Sequence, residues 1–264
     1  METLYALYVN IINAINAIIP NYITHLKISN SKQKIPRTIT HLKFKYAFEQ
    51  KIKIPNNIIN LILDYHYNQK IIIPQNITHL ICAYEYTKKI ILPQNIIKLN
   101  ICDTSNKKIK IPQNITRLEY GHTKIKIPCS VTHLYLTFEF NHKIKIQHNI
   151  IMLSFNGIFN QKITIPQNVT NLSFGTYFNQ KIKIPQNVTN LIFYACFNQK
   201  IIIPQNITHL CFGGNFEHKI ILSSNITHLQ FNNETNIIKK SKIPQNLKFL
   251  SYDSYMKKNI ISIE

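Results

Sequence analysis

The chain repeats one pattern of apolar and polar positions along almost its whole length. The pattern apolar-x-x-Leu-x-apolar occurs thirteen times, usually 19 residues apart. A repeat must be recognised before any local assignment, because each unit of such a chain buries its apolar face only against its neighbours. The leucines of the pattern are Leu26, Leu42, Leu61, Leu80, Leu99, Leu118, Leu134, Leu153, Leu172, Leu191, Leu210, Leu229 and Leu250.

Two segments of each unit alternate between apolar and polar residues, which is typical of β-strands. In the unit that contains Leu191 these are residues 190–193 and residues 181–184. Nineteen residues are too few for two strands and a crossover helix. The sequence therefore predicts an all-β parallel β-solenoid of about 13 short coils, in which equivalent strands pair about 4.8 Å apart.

Each repeated position has a predicted role in the coil. The apolar side chains should point inward and stack on their counterparts in neighbouring coils; in one unit they are Val188, Leu191, Phe193, Phe197, Ile201 and Ile203. We call the predicted strand that contains the repeat leucine the main strand. The Pro-Gln-Asn before it should turn the chain, because proline fixes φ and an asparagine side chain bonds nearby backbone. We expect its asparagine to form a structural ladder, at Asn57, Asn76, Asn95, Asn114, Asn149, Asn168, Asn187, Asn206 and Asn225.

These units resemble a known repeat family. Phe178-Asn179 with Ile184-Pro185, and the same four letters in the next unit, resemble the FNIP repeat, which is named for them. The resemblance covers about residues 20–252, although Tyr67 and Tyr86 replace the phenylalanine in outer copies. The family is grouped with leucine-rich repeats, and its members occur chiefly in amoebae and the giant DNA viruses that infect them. The resemblance thus implies a leucine-rich-repeat-like protein of amoebal or viral origin.

The repeat boundaries predict three segments. Residues 1–20 should form an N-terminal cap, residues 21–252 the solenoid, and residues 253–264 a C-terminal half-coil or cap. The uncharged run of residues 3–20 has a membrane anchor as its alternative interpretation. A secretory signal fits poorly because the run has no basic start.

The number and spacing of the lysines predict a basic ridge. The chain has 31 Lys and Arg against 11 Asp and Glu, for a formal net charge of +20. The lysine before the second alternating segment recurs in ten units, and stacked coils would align it in one row. Such a row favours nucleic acid or anionic lipid as partner. The alternative is a solvated face whose lysines reflect A/T-rich codon usage. The central members of the predicted ridge are Lys143, Lys162, Lys181, Lys200 and Lys219.

The main strand predicts a second surface. Its outward positions vary in chemistry while the inward positions stay constant, as expected of a scaffold that recognises a specific partner. Neutral sequence variation at unconstrained positions would give the same pattern. In leucine-rich-repeat proteins this face often binds protein. The candidate partner-binding residues are Tyr135, Ile192, His209 and His228.

Catalysis is not expected. The eleven acids form no recurring pair, and no phosphate loop, nucleophile elbow or metal motif is present. We therefore predict no catalytic residue, cofactor, metal or small-molecule substrate; a metal shared by His209 and His228 would lack a nearby carboxylate or cysteine. Five cysteines without C-x-x-C spacing argue against a disulfide framework. Reduced thiols suit an intracellular, cytoplasmic protein, of the host cell if the protein is viral.

The sequence thus predicts a non-catalytic scaffold for an unidentified protein partner. The rival hypothesis is electrostatic binding of nucleic acid or anionic membrane along the lysine ridge.

Overall fold

A computed structural model describes most of the chain: residues 9–11, 19–28, 35–45, 48, 51–63, 66–82, 86, 88–101, 109–121, 125–231, 243–254 and 257–262. The chain forms two compact units, residues 1–131 and residues 132–264. Throughout the described ranges the regular structure is β, without a helix. Consequently no helix there is long and apolar enough to cross a membrane.

The first unit is a stack of coils that each contribute one strand. All of its strand pairs are parallel, and neighbours in sequence are neighbours in the sheet. The strands are β1 (Val9–Ile11), β2 (His25–Ile28), β3 (His41–Phe44), β4 (Asn60–Ile62), β5 (His79–Cys82), β6 (Lys98–Ile101) and β7 (Arg117–Tyr120).

The second unit repeats this architecture and ends in a hairpin. Its parallel strands pair in chain order, and the last strand returns antiparallel to the one before it. The strands are β8 (His133–Leu136), β9 (Met152–Phe155), β10 (Asn171–Phe174), β11 (Asn190–Phe193), β12 (His209–Phe212), β13 (His228–Phe231), β14 (Phe249–Ser254) and β15 (Lys257–Ser262).

The predicted β-solenoid is confirmed, because β2 to β14 are thirteen parallel strands with one repeat leucine each. Pairing places leucine beside leucine, as in Leu172, Leu191 and Leu210. The second and fourth strand residues are therefore buried, while the first and third are half-buried or exposed. The predicted segment boundaries at residues 20 and 252 stay predictions, although β1 does pair with β2.

The prediction of a second strand in each coil is wrong. Residues 181–184 form no strand, yet Ile184 is buried, Ile182 is half-buried and both lysines are exposed. Alternation reports which side chains face the core. Strand pairing additionally requires neighbours about 4.8 Å apart with aligned backbone groups, which alternation does not encode. Of the predicted inward residues, Ile201 is half-buried and the others are buried.

Two columns of phenylalanine rings fill the second unit. In the coils of β9 to β12 the fourth strand residue stacks on the phenylalanine of the Phe-Asn position, as with Phe193 and Phe197 at 3.8 Å between centroids. Each ring also stacks on its counterpart one coil away, as with Phe174 and Phe193 at 5.3 Å. The Phe-Asn column consists of Phe140, Phe159, Phe178, Phe197 and Phe216, with centroids 5.9 to 6.1 Å apart.

Asparagine side chains form two ladders along the coils. The predicted one is confirmed at six positions: Asn206 Nδ2 donates to the Gln186 carbonyl of the preceding coil at 2.9 Å, and Asn76, Asn95, Asn168 and Asn225 make equivalent bonds. Asn57 donates to the preceding coil as well, but its acceptor is the Ile39 carbonyl, two residues further along. The sequence analysis missed the second ladder, at the asparagine of the Phe-Asn pair. There Asn179 Oδ1 accepts bonds from the Asn198 backbone N–H at 2.9 Å and from Gln199 Nε2 at 3.1 Å.

Close packing between coils requires glycine at residue 157. Gly157 has φ of +58°, which favours glycine, and a Cβ atom there would lie 2.2 Å from the Phe138 carbonyl oxygen. Gly175, one coil later, approaches Gly157 as closely: its Cβ would lie 2.5 Å from the Gly157 nitrogen. The turns after β9 and β10 therefore stack without side chains between them.

The charged variant Leu191→Asp tests the register. Leu191 is fully buried in the middle of the second unit, so an unpaired carboxylate there should cost about 3–5 kcal/mol of unfolding free energy. Ser173→Asp is the matched control, because Ser173 is half-buried and its hydroxyl already donates to Ser154. Thermal melts should show a large loss for the first variant only, and equal melting temperatures would contradict the register.

The buried tyrosine Tyr67 predicts a stabilising substitution. It replaces the phenylalanine of the repeat, is fully buried, and its hydroxyl lacks a hydrogen-bond partner among the described residues. Burial, with Tyr86 nearby, raises the pKa of Tyr67 to about 12. Tyr67→Phe should therefore stabilise the protein by about 1 kcal/mol, seen as a rise in melting temperature. Tyr177→Phe, at an exposed tyrosine, should leave the melting temperature unchanged; a fall for Tyr67→Phe would refute the assignment.

Candidate functional site

In each unit the strands present one face to solvent, which we call the strand face of that unit. It consists of the first and third strand residues, of β2 to β7 in the first unit and of β8 to β13 in the second, since the other residues of these strands are buried. Its chemistry differs from coil to coil. The first positions are His25, His41, Asn60, His79, Lys98, Arg117, His133, Met152, Asn171, Asn190, His209 and His228, and the third positions include Lys27, Ile62, Glu119, Tyr135, Ser154, Ile192, Cys211 and Gln230.

Three of the four predicted partner-binding residues lie together. Ile192, His209 and His228 occupy consecutive strands, β11 to β13, with His209 paired to His228 and Ile192 paired to Cys211. Tyr135 lies on β8, three strands away, and its hydroxyl contacts the Met152 sulfur on β9. Within the second unit the strand face thus has an apolar and imidazole cluster, with the tyrosine separate from it.

The histidines of the strand face stack in pairs. His209 and His228 have ring centroids 4.1 Å apart at an interplanar angle of 10°, and His25 and His41 have centroids 3.9 Å apart. Each ring is fixed by the threonine before it: Thr208 Oγ1 lies 2.9 Å from His209 Nδ1. Where asparagine follows the threonine, the hydroxyl donates to the amide oxygen, as Thr170 does to Asn171 and Thr189 does to Asn190.

Stacking and burial favour neutral imidazoles. Burial, and secondarily the neighbouring His228, lowers the pKa of His209 below 6.5. Burial first, and then His25 and His79, likewise lowers the pKa of His41. The cause is physical: a charged ring loses hydration when it is covered, and a second imidazolium 4 Å away repels it.

The stacked pairs are poorly arranged for a metal. Parallel rings direct their lone pairs side by side, and one nitrogen of each ring faces a threonine hydroxyl. Among the residues that the structure describes, no three His, Cys, Asp or Glu side chains converge as a metal site. The geometry of the pair suits hydrogen bonding and aromatic contact.

Two other titratable side chains of the strand face, a thiol and a carboxyl group, have raised pKa values. Burial raises the pKa of the Cys211 thiol to about 11, so the thiolate needed for nucleophilic attack is scarce at neutral pH. Burial also raises the pKa of Glu119, and Arg117 and Lys98 oppose this shift. Cys211 is therefore a poor nucleophile at neutral pH.

The predicted lysine row, which we call the basic ridge, is exposed. Lys143, Lys162, Lys181, Lys200 and Lys219 all lie at the surface of the second unit. An open groove of about 530 Å³ lies beside the ridge and is lined by Lys145, His148, Lys162 and Thr164, among others. Two further ridge positions of the first unit, Lys108 and Lys124, lie outside the described residues.

Exposed isoleucines beside the ridge were not recognised from the sequence. Ile202 and Ile221 are 90% and 87% exposed, and Ile72 and Ile91 are 85% and 76% exposed. They occupy the outward position two residues after the ridge lysine, where other coils have lysine or threonine. The sequence does contain an indication of these exposed residues, because alternation marks this position as outward and these coils have isoleucine there.

The turns after the strands form a further variable edge. Phe138, Tyr177 and Tyr194 are 59%, 51% and 46% exposed in three of these turns. Glycine also occurs at this edge: Gly157 lies in the turn after β9, and Gly175 and Gly213 directly follow β10 and β12. This edge borders the strand face and adds exposed aromatic rings to it.

Comparison with family models agrees with the repeat, since the model of the FNIP repeat matches residues 48–82, 159–196 and 197–224. Among solved structures, the chain is similar to CroV588 of a giant virus, described as a novel circular leucine-rich-repeat protein, with 24% identity and a TM-score of 0.49. The match covers 96% of this chain and 53% of that one, so this chain spans about half of CroV588. The search of curated proteins gave no match.

The pKa shifts of the strand-face histidines predict acid sensitivity. Because the pKa of His41, His79 and His209 is lowered in the folded chain, the unfolded chain binds more protons as pH falls below about 6.5. Their stabilising contribution is therefore present above that pH and is lost as pH falls through the folded pKa values. The melting temperature should drop between about pH 7.5 and about pH 5.

The double variant His209→Asn with His228→Asn isolates this effect. Asparagine occupies the same position in β10 and β11, where it keeps the threonine hydrogen bond. The variant should therefore fold normally and show a smaller drop in melting temperature on acidification. An unchanged pH dependence would show that the stacked pair does not contribute.

Proposed function

We propose that this chain, whose residues 48–82, 159–196 and 197–224 are FNIP repeats, is a non-catalytic scaffold that binds a protein partner through its strand face. The observation that carries the proposal is the contrast within each strand. The second and fourth residues are buried and chemically uniform, whereas the first and third are accessible and differ from coil to coil. Such a frame displays a distinct pattern of side chains without altering its backbone.

The surface chemistry fits a protein more closely than a small molecule. The cluster of Ile192, His209 and His228 offers an aliphatic group beside two stacked aromatic rings, on strands held in register. The exposed rings of Tyr177 and Tyr194 lie in the turns after β10 and β11. Aromatic side chains that pair apolar area with a polar tip are enriched where proteins bind proteins.

The absence of convergent reactive groups supports a non-catalytic role. The Cys211 thiol is kept protonated by burial, and no carboxylate is among the groups that shift the pKa of His41, His79 or His209. General acid-base catalysis requires a titratable group positioned against its substrate and tuned toward the working pH. The strand face provides no such pair in the described residues.

A second candidate function is binding of a polyanion along the basic ridge. The ridge lysines are exposed in one row, and the groove lined by Lys145, His148 and Lys162 lies beside them. Exposed like charges repel by about 1 kcal/mol at 4 Å in water, and a polyanion would relieve this repulsion. This candidate uses side chains that the strand-face proposal does not.

Two variants distinguish the candidates. The strand-face variant combines Tyr135→Ser, Ile192→Ser and His209→Asn, each of which is the residue found at the same position of a neighbouring strand. The ridge variant combines Lys143→Gln, Lys162→Gln, Lys181→Gln and Lys200→Gln. The partner is first captured with the wild-type chain from nuclease-treated cell extract, and its affinity for each variant is then measured by calorimetry.

We expect the strand-face variant to lose affinity at least about tenfold, since removing contacts at an interface centre costs about 1.4 kcal/mol or more. The ridge variant should bind normally. If binding instead survives in the strand-face variant and is lost in the ridge variant, with a salt slope that falls as lysines are removed, the protein is a polyanion binder and the strand-face proposal is wrong.

A further inference from the structure

An apolar pair interrupts the basic surface of each unit. In the second unit Ile202 and Ile221 lie in neighbouring coils at the outward position and are almost fully exposed. In the first unit Ile72 and Ile91 occupy the same position of two neighbouring coils. The pair therefore recurs independently. In the other described coils this position is exposed Lys53, Lys110, Lys126, Lys145, Thr164 or Lys183.

Cations surround the apolar pair. In the second unit Lys200 and Lys219 precede the two isoleucines by two residues in their own coils, and Lys181 and Lys183 lie in the coil before; all four are exposed. Among the described residues of these coils, one carboxylate, that of Glu217, is exposed. The surface thus presents two aliphatic tips within a row of ammonium groups.

The shape of this surface selects among partners. Residues that anchor a protein interface usually fill pockets and are often aromatic, whereas these isoleucines protrude. Nucleic acid would bind the lysines, but sequence-independent contact with bases uses aromatic stacking, to which an isoleucine contributes nothing. A second copy of this chain, placed face to face, would bring two rows of lysine together and be repelled.

An anionic lipid surface fits both features. Protruding aliphatic side chains enter the boundary between headgroups and acyl chains, and flanking lysines attract the anionic headgroups. We propose that the second unit docks on anionic membrane surfaces, inserting Ile202 and Ile221 while the ridge lysines bind the headgroups. The lysine part of this proposal rests on the second candidate function, the basic ridge, and is independent of the strand face.

Vesicle binding tests the proposal with matched variants of the full chain. The probes are phosphatidylcholine vesicles with and without phosphatidylserine, and binding is measured by co-sedimentation. The double variant Ile202→Thr with Ile221→Thr removes the apolar side chains. Threonine is chosen because it occurs naturally at this position of another coil, as Thr164. Lys181→Gln, Lys200→Gln and Lys219→Gln removes the flanking charge, and Thr164→Ile adds a third tip in the same unit.

The wild-type chain should bind vesicles that contain phosphatidylserine. The threonine variant should bind about tenfold more weakly, because inserted methylene groups carry the apolar part of the affinity. The glutamine variant should lose most binding together with its salt dependence, and Thr164→Ile should strengthen binding. All variants should melt at the wild-type temperature, since every substituted side chain is exposed.

Tryptophan fluorescence then locates the contact, since the chain has no tryptophan of its own. Ile202→Trp should shift its emission to the blue on vesicle binding and be quenched by lipids brominated in the upper acyl chain. The control Tyr194→Trp, in the turn after β11, should show neither change.

Three results would overturn the proposal. The first is no binding to phosphatidylserine vesicles. The second is equal binding by the threonine variant and the wild type, which would leave only electrostatic attraction to the ridge. The third is a wild-type dimer in sedimentation velocity that the threonine variant converts to monomer, which would assign the isoleucines to a second copy. The strand-face proposal is untouched by any of these results, since its variants keep both isoleucines and all lysines.

Discussion

Stacking of phenylalanine rings at a fixed spacing is the interaction on which the second unit depends. In the coils of β9 to β12 two rings, such as Phe193 and Phe197, stack on each other and on the rings of the next coil. Each buried ring contributes about 1.5–3 kcal/mol through burial, and each aromatic pair adds about 0.5–1.5 kcal/mol. Since a ring has a partner only if the next coil lies in register, the columns fix the coils to one another.

Register in the core determines what appears at the surface. Every position of the repeat forms a row along its unit, so the side chain chosen at one position is repeated or varied from coil to coil at a constant interval. Isoleucine in two consecutive coils becomes an apolar pair, lysine in five becomes the basic ridge, and histidine in two becomes a stacked pair. The protein therefore composes a surface by choosing residues in rows rather than by folding loops together.

The sequence predicted the core well because the core is periodic. The spacing of the repeat leucines was sufficient to locate thirteen strands, and the inward residues followed from alternation. It failed where geometry between coils decides the outcome: residues 181–184 alternate like a strand but do not form one. The second asparagine ladder was missed for a similar reason, since the role of Asn179 depends on the distance to Asn198 rather than on local pattern.

The candidate surfaces were predicted less completely than the core. Ile192, His209 and His228 were expected on one face and lie on neighbouring strands, whereas Tyr135 is three strands distant. The ring stacking of His209 and His228 could not be predicted, because it depends on the rotamer that the threonine contact fixes. The exposure of Ile202 and Ile221 was predictable from alternation, which marks their position as outward. The lysine that most other coils have at this position indicates a charged surface and hides the apolar pair.

The side-chain ladders share one direction, and this gives the stack a polarity. Asn206 donates back to the coil of Gln186, Thr208 donates back to Thr189, and Asn198 and Gln199 donate back to Asn179. In each case the donor belongs to the later coil and the acceptor to the earlier one. A stack of such coils therefore has chemically distinct ends: its later end presents side-chain and carbonyl oxygens that can still accept bonds of this kind, and its earlier end presents the donors. A further coil of the same sequence could complete the ladders at either end, but only in one orientation.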